Sequence, residues 1–115
     1  MANAPKYFMY FPGNYRWSAA FVNMLGTAPF GGVDMSELHK IGRMLEGRSG
    51  DDDEAFFDAC VTVADTVRAH AEKFRVGYPV SAAPFYLRAC HYYQMGERFR
   101  TPECRSPDAT KEDRR

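Results

Sequence analysis

Residues 77–102 read Gly-Tyr-Pro-Val-Ser-Ala-Ala-Pro-Phe-Tyr-Leu-Arg-Ala-Cys-His-Tyr-Tyr-Gln-Met-Gly-Glu-Arg-Phe-Arg-Thr-Pro, and this stretch decides the predicted fold. Gly77 and Pro79 interrupt the preceding helical pattern, and Ser81 is the predicted N-cap of a new helix. Pro84 fits the first turn, because an amide hydrogen has no helical partner there. Thr101-Pro102 would end the helix.

Apolar side chains recur on two adjacent stripes of this helix. The first stripe contains Phe85, Ala89, Tyr92, Gly96 and Phe99. The second contains Tyr86, Cys90 and Tyr93. Because two stripes cover more of the circumference than one amphipathic face needs, the pattern predicts a helix that is buried on a wide arc.

Three further helices are predicted upstream. Asn14 is a candidate N-cap for the first, and Asp34 or Ser36 starts the second. The carboxylates of residues 51–54 favour the positive end of a third helix dipole. Apolar residues then recur at threes and fours: Trp17, Phe21, Met24 and Leu25; Met35, Leu38, Ile41 and Leu45; and Phe56, Cys60, Val63, Val67, Ala71 and Phe74. The sequence therefore predicts an all-α fold of about four helices in a small irregular bundle.

The two ends of the chain are predicted to differ from this bundle. Residues 6–12 form a short apolar, aromatic run that would be an extended segment or part of a docking surface. Residues 103–115 are polar and carry no apolar period, so they are predicted to be a disordered tail. We expect one helical domain over residues 1–102, followed by this tail.

Composition excludes some partners and a secretory location. Lysine plus arginine equals aspartate plus glutamate, 15 each, so charge gives no reason to expect nucleic acid or an anionic membrane as a partner. Three cysteines without Cys-x-x-Cys spacing argue for a reducing compartment. We find no signal peptide and no stretch approaching ~18 apolar residues, so the prediction is a cytoplasmic protein without a membrane span.

Four stretches, taken together in their order and spacing, carry a resemblance to a known family. They are Phe11–Ser18, Ala28–Asp34, Ile41–Arg43 with Gly50–Asp52, and Ser81–Ala82 with Tyr86–Ala89 and Tyr92–Tyr93. The chain resembles the N-terminal helical region of α/β-hydrolases such as 2,6-dihydroxypseudooxynicotine hydrolase, the fungal yellowish-green-type polyketide hydrolases and the fermentation-respiration switch esterases. This resemblance implies a cap or lid that packs on a separate catalytic domain and helps to cover the substrate.

The catalytic part of that family is not encoded in these residues. The resemblance implies a nucleophilic serine in a Gly-x-Ser-x-Gly elbow, followed by an acid and a histidine. The sequence contains no such elbow, and its departure from the family begins at Glu103. A truncated gene, a frameshift or a gene fragment would produce this pattern. We therefore assign no catalytic residue and no cofactor, and expect the chain alone to be inactive, whereas the parent would cleave an ester or a carbon–carbon bond beside a carbonyl.

Isolated reactive residues favour structural roles. No metal site is expected from His39, His70, His91 and the cysteines, because structural zinc needs paired short spacings. Residues 51–54 lack the alternating ligands of a calcium loop and are interpreted as helix-capping. Cys60 and Cys90 lie on apolar stripes and are expected to be buried. Candidate nucleophiles by residue type alone are Ser18, Ser36, Ser49 and Ser81.

Four residues are candidates for lining a substrate site or docking a domain: Trp17, Arg88, Tyr92 and Tyr93. Arg88 lies in an apolar helix, so burial would require an ion pair with a carboxylate such as Asp58, Asp65 or Glu97; the alternative is a contact with the catalytic domain or substrate. Aromatic side chains would line a pocket or pack in a core or interface. These are Tyr7, Phe8, Tyr10, Phe11, Trp17, Tyr92 and Tyr93.

Two other functions remain open at this level. The alternative is a self-standing helical protein-interaction module, and the absence of a repeat of ~34 residues counts against it. A small binding or sensor protein that uses the aromatic cluster is the third hypothesis, with quenching of Trp17 as its readout. The expected partner is accordingly the missing hydrolase domain or another protein, with a homo-oligomer as a further possibility.

Overall fold

A computed structural model describes residues 10–99, and every structural statement below concerns this part of the chain. Four α-helices follow one another: α1 (Tyr15–Leu25), α2 (Met35–Met44), α3 (Asp53–Arg75) and α4 (Pro79–Glu97). A short 3₁₀ turn, Ala28–Phe30, lies between α1 and α2. No strand occurs within the described residues, so the predicted all-α fold of four helices is confirmed. The predicted tail, residues 103–115, lies outside them, as do Tyr7 and Phe8.

Side-chain caps start the first three helices. The Asn14 side chain accepts a hydrogen bond from the Trp17 amide at 3.1 Å. Asp34 accepts from the amides of Ser36 and Glu37 at the start of α2. Asp52, within the acidic run, accepts from an amide in the first turn of α3. Each cap satisfies an amide that has no partner inside the helix, which explains why sequence located these three starts.

The start of α4 differs from the prediction. The helix begins at Pro79, with Tyr78 as the N-cap residue and no side-chain cap, so Ser81 is not its cap. Proline at the first helical position has a suitable φ and lacks only an amide hydrogen that would be unpaired anyway. Pro84 consequently lies inside the helix rather than in its first turn. The last helical residue is Glu97, four residues before Thr101.

The α3 and α4 helices form the main packing unit. They run antiparallel, joined by residues 76–78, and contact each other along their lengths. Gly96 permits close approach, because a Cβ there would lie only 2.9 Å from the Cβ of Cys60. The α2 helix contacts α3 over a much shorter stretch, and α1 contacts α4 near its end.

Aromatic side chains from four parts of the chain fill one end of the core. Trp17 packs on Phe56 with ring centroids 5.3 Å apart, and Phe56 packs on Phe99 at the same separation. Phe21 contacts both Phe56 and Phe11. These large rings join α1 to α3 and α4 by apolar contact. No helix within residues 10–99 has both the length and the apolarity that crossing a membrane requires.

Candidate functional site

A polar cluster joins the first turn of α2 to the middle of α4. Arg88 donates from Nε to Oε1 of Glu37 at 2.8 Å and from a terminal nitrogen to Oε2 at 3.3 Å. The hydroxyl of Tyr92 donates to the same Oε1 at 2.7 Å. In turn this hydroxyl accepts from the Asp34 amide at 3.0 Å. The Glu37 carboxylate thus accepts three hydrogen bonds, and because two of them come from Arg88, the charge of Arg88 is paired with a charge on α2.

The expected ion pair of Arg88 is therefore present, but its predicted partner was wrong. The partner is Glu37, and not Asp58, Asp65 or Glu97. Periodicity placed Arg88 on a mostly apolar helix without indicating which neighbouring helix faces it. Glu37 lies in the first turn of α2, where the helix dipole alone would explain an acidic residue. For that reason nothing in the sequence indicated that Glu37 pairs with a residue on another helix.

Tyr92 and Asp34 are two of the groups in this cluster whose pKa values depart from their ordinary values. Burial raises the pKa of Tyr92, so its phenol stays neutral and donates to Glu37. A hydrogen bond from the Ser36 hydroxyl lowers the pKa of Asp34, which keeps that cap ionised. Neither shift produces a base or a nucleophile: the neutral Tyr92 phenol links α4 to α2, and the ionised Asp34 caps α2.

A second contact fixes the loop between α1 and α2 against α4. The Nδ1 atom of His91 lies 2.8 Å from the carbonyl oxygen of Gly32. Since a carbonyl only accepts, Nδ1 carries the hydrogen in this contact. A Cβ on Gly32 would approach the Thr27 hydroxyl oxygen to 2.4 Å and the His91 ring to 2.7 Å. The loop can therefore lie this close only with glycine at position 32.

The four sequence-predicted site residues do not converge on one place. Arg88 and Tyr92 meet at Glu37. Tyr93 instead donates to Asp65 on α3. Trp17 is buried in the core. As they stand, Trp17 and Tyr92 present no open surface to a substrate or a partner.

The Trp17 indole also has a polar contact, since its Nε1 donates to Asp53 at 3.2 Å. This places the only tryptophan of the chain between α1 and the start of α3, away from the α2–α4 cluster. Its fluorescence would therefore report on core packing rather than on the surface.

One side of α4 is open and nearly free of charge. Val80 is 86% exposed and Leu87 is 44% exposed, with exposed Ala83 and Pro84 between them on the same helical face. The exposed positions of α4 are Pro79, Val80, Ser81, Ala83, Pro84, Leu87, Cys90, Gln94 and Glu97. Within this helix only the last of these is charged. We call the side formed by Val80, Ala83, Pro84 and Leu87 the α4 face.

Apolar exposure continues into the turn before α4. Val76 is 89% exposed and Tyr78 is 67% exposed. The predicted burial of α4 on two stripes is met within residues 10–99 by all stripe residues except Cys90, and the exposed residues of the α4 face belong to neither stripe. The prediction that Cys90 is buried was wrong, since it lies on the uncovered side of α4. The weak amphipathicity of α4 was the sequence signal for this surface.

Two reactive residues, Ser18 and Cys60, are held in the core of the described residues. Ser18 is buried, and its hydroxyl accepts from the Phe11 amide and donates to the Phe11 carbonyl. Burial raises the pKa of Cys60 to about 12, so its thiol remains protonated. No group of three or more His, Cys, Asp and Glu side chains lies close enough to hold a metal ion in residues 10–99.

The fold was also compared with known proteins. No family model, no curated protein and no solved structure matches this chain. The hydrolase resemblance consequently rests on the sequence stretches alone.

Proposed function

We propose that the chain is a cap-like helical unit, inactive by itself, whose α4 face docks on the catalytic domain of a serine α/β-hydrolase. The observation that carries the docking role is the open, uncharged side of a 19-residue helix. The catalytic domain is chosen as the occupant because the fourth stretch that resembles the hydrolases, Ser81–Ala82 with Tyr86–Ala89 and Tyr92–Tyr93, lies on this helix.

Docking there has a favourable physical basis. Fully burying a Val or Leu side chain contributes about 1.5–3 kcal/mol, so Val76, Val80 and Leu87 together would supply several kcal/mol to an interface. No charged side chain of the α4 face would have to leave water. The Glu37–Arg88 pair behind it holds α4 in a fixed orientation. A second domain would thus meet a rigid apolar surface.

The alternative is a self-standing helical interaction module. It is favoured by the core that the described helices already form, in which Trp17, Phe21 and Phe56 are fully or almost fully buried without a second domain. In that case the α4 face would bind a separate protein or another copy of the chain.

We further propose that docking takes place in a reducing compartment, the cytoplasm. Cys60 and Cys90 are both free thiols in the described part of the chain. Cys90 is exposed beside the α4 face, where oxidation would add polarity to the surface that docks. A reducing environment would keep this surface apolar.

The first test is the DNA sequence across the codon for Pro102 and about a kilobase beyond it, a length that encodes roughly 300 residues and so exceeds one typical further domain. The hydrolase proposal expects a Gly-x-Ser-x-Gly elbow, with later Asp and His codons, in one of the three frames. Finding nothing hydrolase-like would refute the hydrolase domain as occupant and leave the interaction module. Turnover of an aryl ester by the purified 115-residue chain would contradict its inactivity.

The second test charges the α4 face. Val80→Glu and Leu87→Glu should each abolish docking of the joined catalytic domain, because the new carboxylate would be buried without a partner. Aryl-ester hydrolysis by the full polypeptide should then fall about tenfold or more. Val22→Glu, on α1, makes the same change at an exposed apolar position elsewhere and should leave activity unchanged. Equal activities of all three variants would show that the α4 face does not dock.

A further inference from the structure

A second surface, formed by other residues than the α4 face, lies between α2 and α3. Two adjoining cavities of about 150 and 300 Å³ share Met44 and Thr62 in their walls. We call this continuous depression the α2–α3 groove. One wall carries Glu37, Lys40, Met44 and Arg48, and the other carries Asp58, Thr62, Thr66 and His70. The residues of α3 and those of α2 up to Met44 recur at steps of three or four, so each wall follows one helix face, and Arg48 lies in the turn after α2.

The two threonine hydroxyls in the middle of the groove already have hydrogen-bond partners within α3. The Thr62 hydroxyl donates to the Asp58 carbonyl at 2.8 Å, and the Thr66 hydroxyl donates to the Thr62 carbonyl at 3.1 Å. Their polar atoms are therefore satisfied within α3. Val63 and Val67 line the same part of the groove, and Met44 opposite them is 45% exposed. An apolar side chain would enter the middle of the groove without leaving a polar group unpaired.

The two ends of the groove carry opposite charge. Lys40 and His70 lie at one end, and Glu37, the only carboxylate that lines this end, is already paired with Arg88. Arg48 lies at the other end among the carboxylates of Asp52, Glu54 and Asp58, which outnumber it. Neither Lys40 nor Asp58 forms an ion pair within residues 10–99.

We propose that the α2–α3 groove binds an amphipathic helix of a partner protein that is acidic at its first turn and basic at its last turn. Its acidic end would lie at Lys40 and His70, and its basic end at Asp58. Helices favour this charge order internally, since acidic groups stabilise their N-termini and basic groups their C-termini. The bound helix would run antiparallel to α3, its apolar stripe lying on Met44.

The size of the groove fits such a partner. From Asp58 to His70 the α3 axis advances by about 18 Å, the length of roughly three helical turns. A helix of that length presents apolar side chains at i, i+4 and i+7 to one seam. The segment of this chain at residues 103–115 has no such apolar period, so it is not the occupant.

The test uses two fluorescein-labelled peptides of about eighteen residues, long enough to form a helix. Both have the same apolar Leu and Ala stripe, one with Glu in the first turn and Lys in the last, the other with these charges exchanged. At low ionic strength we expect the acidic-first peptide to bind about tenfold more tightly by fluorescence polarisation. The double variant Lys40→Glu/Asp58→Lys should invert this preference.

Two controls separate this groove from the α4 face. Met44→Glu should weaken both peptides about tenfold, and Leu87→Glu should leave both affinities unchanged. Amide chemical-shift changes should fall on α2 and α3. Equal affinities of the two peptides, no binding at about 1 mM, or shifts confined to α4 would each overturn the proposal. None of these results depends on whether a hydrolase domain docks on α4.

Discussion

The Glu37 carboxylate combines two tasks that are usually carried by different residues. It lies in the first turn of α2, where negative charge is favoured by the helix dipole, and it receives three hydrogen bonds from α4. Its side chain and that of Arg88 are 18% and 17% exposed. At this burial the desolvation cost of each charge is offset only while the other is present.

Removing one charge of this pair should therefore cost more than removing a pair at the surface. We expect Glu37→Gln to lower the free energy of unfolding by about 2 kcal/mol, because Arg88 would keep an unpaired, largely buried charge. Glu46→Gln is the matched control: its pair with Arg43 is open to solvent, and its loss should cost within about 0.5 kcal/mol. Urea denaturation measures both.

A double variant tests the interaction itself. Glu37→Gln combined with Arg88→Met should be less destabilised than the sum of the single variants, because no charge then remains unpaired. Additive losses would show that the two side chains contribute independently, contrary to the geometry of the cluster.

At the scale of the helices, the sequence predicted that each helix exists more accurately than it predicted where a helix begins or which helices contact each other. The caps Asn14 and Asp34 were identifiable because capping is a local hydrogen bond. The predicted start of α4 was misplaced because Pro79 and Ser81 are both favoured at the beginning of a helix. In the structure Tyr78 is the N-cap residue, so the helix begins at Pro79. Glu37 could not be found as the partner of Arg88, since residues 51 positions apart are brought together only by packing.

The contact between α3 and α4 makes a second prediction. Alanine is favoured over glycine in a helix by about 1 kcal/mol, but at Gly96 the added Cβ would lie 2.9 Å from the Cβ of Cys60. That atom is next to the backbone and cannot turn away, so overpacking of about 1–3 kcal/mol should win. We expect Gly96→Ala to lower the thermal midpoint.

Gly77 supplies the control for this substitution. Nothing lies within 4 Å of a Cβ at this position, and its φ is not positive. Gly77→Ala should be neutral or stabilising by about 0.5 kcal/mol, because the unfolded chain loses freedom. If both substitutions stabilised the protein, the close approach at Gly96 would be disproved.

At the scale of the whole molecule, the two longest described helices, α3 and α4, are each buried on one side and exposed on the other. Two apolar stripes predicted cover of α4 on a wide arc, and all of their residues except Cys90 are buried or half-buried. The α4 face lies outside both stripes, and no pattern in one sequence says which partner covers it. Periodicity likewise could not reveal the α2–α3 groove, whose polar walls resemble ordinary solvent-exposed faces.

The order of packing along the chain also bears on how the protein folds. Most contacts between helices join α3 to α4, which are neighbours in sequence, so closing them costs little loop entropy. We expect this hairpin to form first and α2 to join late. Substitutions at Ala89, inside the hairpin, should slow refolding, with a kinetic φ-value (the share of the lost stability that appears in the folding barrier) near 0.5 or above. Leu38→Ala, on α2, should mainly speed unfolding. Stopped-flow folding and unfolding rates over a range of denaturant concentrations measure both effects. The hairpin lies in the second half of the described chain. During synthesis a ribosome would therefore release α1 and α2 before α3 and α4, the helices on which they pack, have been made. Until then α1 and α2 would have no helices to pack against.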